Sequence, residues 1–117
     1  MPRSIDWYYH RKGDATCAKA DAFMAKRGIT ARETVDARKV KVGKPQIAQI
    51  LRGTHQIIAS KGAATVEFNL RQDPPVEKVL YESLIGPTGS LRAPAIRLGR
   101  TLVVGFNEDS WTKVFAA

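Results

Sequence analysis

The chain has 117 residues, which suits one domain and leaves no room for a second of ordinary size. An apolar fraction of 44% with dispersed Gly and Pro is globular rather than disordered composition, and no apolar run approaches the length of a membrane span. One cysteine excludes an internal disulfide and a multi-thiolate metal centre, and a net charge of +8 points to an anionic partner or to a solvated basic surface.

The first elements follow from residue type. Ile5–Tyr9 is apolar and aromatic and predicts a strand. His10–Thr16 reads as a loop, with Thr16 as N-cap of a helix over Cys17–Arg27. Ala20, Phe23, Met24 and Arg27 recur at helical spacing and define its inner face. Gly28 stands where a helix C-terminal glycine belongs, and Ile29–Val35 predicts a second strand. Strand, helix, strand in this order predicts two parallel neighbours.

The middle of the chain reads as helix, hairpin, helix. Lys44–Arg52 has Pro45 near its start and Gly53 behind it. Gln56–Ser60 and Thr65–Asn69 predict a hairpin around Lys61–Ala64. Pro74 and Pro75 open a helix carrying Val76, Val79, Leu80 and Leu84, which Gly86-Pro87 ends before a turn over Thr88–Leu91. Ala93–Leu98 and Thr101–Gly105 predict a second hairpin about Gly99-Arg100. Asn107 is a good N-cap for a last helix with Trp111, Val114 and Phe115 inside.

Cys17 is the one candidate reactive group. At a helix N-terminus, free N–H groups and the helix dipole favour a thiolate, and Lys12 and Lys19 add positive charge nearby. His10 and His55 have no His or Cys at ligand spacing, which argues against a metal site. A lone cysteine is otherwise a small buried hydrophobe.

Three elements in order carry a resemblance: Cys17 opening a helix after a strand, Arg92-Ala93-Pro94 before a strand, and Gly105-Phe106-Asn107 before the last helix. Together they resemble the thioredoxin-like superfamily, in particular glutaredoxins and the arsenate reductase-related family. The resemblance implies a mixed four-stranded sheet flanked by helices in a single domain over 1–117, with the middle hairpin and helices as an insertion. It implies a cis bond at Ala93-Pro94 and an anion-binding turn at Gly105 and Asn107. Cys17 stands at a position where some relatives use selenocysteine.

Ala20 occupies the place of a second cysteine, so the pattern is monothiol, with glutathione or a protein thiol as co-substrate and no bound cofactor. The stretch Ala18-Lys19-Ala20-Asp21 keeps only the lysine of the arsenate reductase motif, and Arg92 lies one residue too early, which argues against arsenate reduction. The expected activity is thiol–disulfide exchange through Cys17, supported by Thr16, Lys12, Lys19, Arg92, Ala93, Pro94, Gly105 and Asn107. The alternative is a non-enzymatic, Spx-like regulator or protein-binding module, with RNA polymerase among its implied partners. Direct nucleic-acid binding through Arg38, Lys39, Lys41 and Lys44 ranks last, since no known motif accompanies the charge. No signal peptide or membrane segment is evident, so a cytoplasmic location is expected.

Overall fold

The computed structural model describes residues 3–87 and 89–116; Thr88 of the expected turn lies outside them. The elements are β1 (Arg3–Ile5), β2 (Trp7–His10), α1 (Ala15–Arg27), β3 (Ile29–Ala31), β4 (Thr34–Asp36), α2 (Lys44–Arg52), β5 (Gln56–Lys61), β6 (Ala64–Asn69), α3 (Glu77–Leu84), β7 (Ala95–Leu98), β8 (Thr101–Val104) and α4 (Glu108–Ala116). None of these helices is long and apolar enough to cross a membrane.

A mixed six-stranded sheet in the order β4-β2-β7-β8-β5-β6 forms the centre. β2 and β4 are parallel, as the strand–helix–strand pattern requires, and β7 lies antiparallel between β2 and β8. The expectation of four strands is corrected to six. The middle hairpin does not stand apart: β5 pairs in parallel with β8, from Gln56 opposite Thr101 to Ala59 opposite Val104, and β6 follows outside it. The cause is visible in the residues. Ile57, Ile58 and Ala59 are all buried, so this strand needs cover on both faces, and an interior place in the sheet supplies it.

Each of the first two expected strands is divided. β1 and β3 form a separate parallel pair, and the chain turns at Asp6 before β2 begins. The Asp6 side chain accepts a hydrogen bond from the Gly99 N–H at 2.7 Å, while its own N–H donates to the Arg97 carbonyl at 2.9 Å. Those bonds hold the bend.

Strand alternation sorts the buried residues into two cores. Tyr8, Ile58, Ile96 and Val103 face α1 and α4, where Phe23, Met24, Trp111 and Phe115 pack. Tyr9, Ile57, Ala95, Leu102 and Val104 face the other way, against Ile47 of α2 and Leu84 of α3. The molecule is therefore helix, sheet, helix in three layers. Pro74 and Pro75 precede α3, which begins at Glu77.

Candidate functional site

Cys17 sits in the first turn of α1, and the helix starts earlier than expected. Asp14, not Thr16, is the N-cap: its carboxylate accepts a hydrogen bond from the Cys17 N–H at 2.9 Å. Thr16 lies inside the helix with an exposed side chain. Asp is as good a cap as Thr and stands three residues before Cys17, the spacing at which a cap carboxylate meets a backbone N–H. That signal was present in the sequence.

Cys17 stands three residues before Ala20 and so shares its face of the helix. The buried stripe of α1 is Cys17, Ala20, Phe23 and Met24, at steps of three, three and one. Cys17 is thus the first member of the apolar face rather than the tip of the helix, and its exposure is 0%. Arg27, expected on that face, is exposed; its guanidinium lies 4.4 Å from the Phe23 ring centre and donates to Thr112 Oγ1.

The electrostatics oppose a thiolate. The Cys17 thiol is pushed up to about 12, first by burial. Its one favourable partner is the Arg11 N–H, 3.4 Å from Sγ, which acts downward. Against it stand the carboxylates of Asp14 and Asp21, which both act upward. Asp21 lies one turn along the helix and is held on both oxygens. Tyr8 donates to Oδ1 at 2.8 Å, and His10 Nε2 lies 2.8 Å from Oδ2. Burial, and then the bond to Asp21, also raise the Tyr8 hydroxyl. None of Tyr8, His10, Arg11, Asp14 and Asp21 was expected at the site. A helix N-terminus favours an anion, but here the Asp14 carboxylate already holds that place.

Lys12 and Lys19 are exposed, and the charged groups that act on the thiol are acidic rather than basic. Lys19 instead shares a groove of about 890 Å³ with Thr16, Lys26, Phe106 and Asn107, between α1 and the start of α4. Three of the expected residues therefore meet, but at the surface and away from the buried sulfur.

The Ala93-Pro94 peptide bond is cis, and Pro94 is fully buried. The Pro94 carbonyl accepts from the Gly105 N–H at 2.7 Å, which ties the entry of β7 to the exit of β8. Arg92 does not serve the thiol. It is anchored on two carbonyls, donating to Ser60 at 2.6 Å and to Ser83 at 3.2 Å, and burial lowers its pKa. It clamps β5 to the end of α3.

Gly105 and Asn107 are likewise committed to the frame. Gly105 has a φ of 77°, and a Cβ there would strike the Ser60 carbonyl and crowd the Arg92 guanidinium. Its carbonyl receives the Trp111 indole N–H at 3.0 Å. Asn107 caps α4 as expected, accepting from the Ser110 N–H at 3.0 Å, and its amide reaches the Gly62 carbonyl. Both polar ends of the side chain are thereby used.

Among the described residues, no group of three or more His, Cys, Asp and Glu side chains comes together to hold a metal ion. No protein-family model, no curated protein and no solved structure matches this chain.

Proposed function

We propose that this chain is a non-catalytic protein-binding module on a thioredoxin-like framework of the glutaredoxin and arsenate reductase-related kind. Several observations support the framework. The strands β4-β2-β7-β8 lie side by side with β2 and β4 parallel and β7 reversed between β2 and β8. The cis Ala93-Pro94 bond sits at the entry to β7, where the resemblance implies one. The hairpin of β5 and β6 is then an extension of that framework beyond β8.

The observation that carries the non-catalytic reading is the enclosure of Cys17. A thiol that attacks a disulfide must be ionised near neutral pH and open to its substrate. This one is buried, its pKa is raised to about 12, and the carboxylates of Asp14 and Asp21 flank it. It behaves as the first apolar residue of a helix. The partner class implied by the resemblance is RNA polymerase, and a pull-down with purified polymerase tests that form of the reading directly.

Alkylation of the native protein across a pH series, read by intact mass, tests the enclosure. The expected result is negligible labelling from neutral pH to about pH 9 and rapid labelling once the chain is unfolded. Labelling with an apparent pKa near or below about 7 would restore the monothiol oxidoreductase reading, with glutathione as co-substrate.

A further inference from the structure

β6 closes one side of the sheet, hydrogen-bonded to β5 and open on its other side. Edge strands are ordinarily short, bulged, covered, or set with Lys or Pro, because a free row of N–H and C=O groups pairs with any suitable strand. β6 uses none of the sequence devices. It runs six residues in unbroken register with β5, from Asn69 opposite Gln56 to Ala64 opposite Lys61. It contains neither Pro nor Lys, and its only charge is Glu67. The opposite edge, β4, is three residues long.

A groove of about 1100 Å³ lies between the β5–β6 hairpin and α3. Val66 and Val79 line it and are 45% and 43% exposed, which leaves an apolar floor. Lys44, Lys61, Lys78 and Arg92 outnumber Glu77 and Glu82 along its walls. Among the described residues the one ion pair is His10 with Asp21, so none of these three lysines is ion-paired with a carboxylate, and Lys44 lies 5.0 Å from the Tyr81 ring centre. Alternation along β6 sends Ala64 and Val66 toward the groove, while Thr65 turns to the other face and meets Ser110.

We propose that the β6 edge accepts, as a seventh strand, an extended segment of a partner protein whose groove-facing side chains are by turns apolar and acidic. Main-chain hydrogen bonds to β6 would supply affinity, and every second side chain would enter the groove against Val66 and Val79. Carboxylates on that segment would meet Lys44, Lys61 and Lys78. The partner is a different, acidic chain rather than a second copy, because each copy carries a net charge of +8 and two copies edge to edge repel. This deepens the binding-module reading and rests on it.

The probe is an end-blocked, fluorescent peptide of about eight residues, with Val and Glu by turns at every second position and Thr between them, long enough to span β6. Binding to the full chain is read by anisotropy and by backbone amide shifts. The expected result is saturable binding that weakens with salt, with the shifts gathered on residues 64–69. N-methylation of alternate peptide residues, which removes strand pairing, and the pair Lys61→Glu with Lys78→Glu should each weaken binding by about tenfold or more. Equal binding of the N-methylated peptide or of the same peptide with Lys in place of Glu overturns the proposal, as do shifts confined elsewhere. Concentration-dependent shifts on 64–69 without peptide, with dimers in sedimentation, put a second copy at the edge and also overturn it. Should the lysine variants lose their fold, the N-methyl comparison on the native chain decides. Peptide binding by a protein whose Cys17 alkylates readily would leave this surface standing and remove the non-catalytic reading. A sealed thiol without peptide binding would do the reverse.

Discussion

Burial of Cys17 makes stability depend on alkaline pH in a calculable way. The folded chain holds the thiol proton up to about pH 12, whereas an unfolded chain releases it near the usual value of about 8.5. A folded pKa above the unfolded one means that its stabilisation is complete below about pH 8.5. That contribution is lost as pH rises through the window toward the folded value. At pH 10 the unfolded thiol lies about 1.5 pH units above its pKa, and about 1.4 kcal/mol per unit makes the loss about 2 kcal/mol. Cys17→Ala removes this dependence. It costs roughly 1 kcal/mol at pH 7 for the lost sulfur, and then falls less steeply than the parent chain. Urea unfolding of both proteins at pH 7 and pH 10, with reductant present, measures the difference. Burial and the bond to Asp21, the larger causes of the raised Tyr8 hydroxyl, are present in both chains, so the difference between them reports chiefly on Cys17. Equal losses for the two proteins, within about 0.5 kcal/mol, would refute the enclosure of the thiol and with it the argument for a non-catalytic site.

Two further outcomes test the frame around the site. Gly105→Ala should destabilise by about 2–4 kcal/mol in the same urea assay, since positive φ, the Ser60 carbonyl and the Arg92 guanidinium all oppose a Cβ there; a loss below about 0.5 kcal/mol would show that the β8 exit is not packed as described. Asp14→Ala should cost about 1 kcal/mol as a lost N-cap, while exposed Thr16→Ala should change stability by less than about 0.5 kcal/mol. The opposite ranking would return the cap to Thr16.

Much of the architecture was legible in residue order. The helix over Lys44–Arg52 appears with the expected bounds, Gly28 closes α1 in the left-handed conformation, and Asn107 caps α4. These are local matters, decided by capping groups, glycine and the spacing of apolar side chains within one turn or two. The parallel pairing of β2 with β4 followed from the helix between them.

Other features depended on partners distant in sequence. That Arg92 would be drawn onto the carbonyls of Ser60 and Ser83, away from Cys17, could not be read from its place before a proline. The union of the middle hairpin with β8 joins residues more than forty positions apart, and local propensity carries no information about such a choice. Cys17 shows the division most clearly. Its sequence determined that it stands in the first turn of a helix behind a strand, where a thiolate is physically reasonable. Only the tertiary structure decided that the sulfur is sealed at 0% exposure, with the Arg11 N–H against it and the carboxylates of Asp14 and Asp21 acting on it. Helical spacing sets which side of a helix a residue faces, whereas closure of that side to water depends on elements packed over it from elsewhere in the chain.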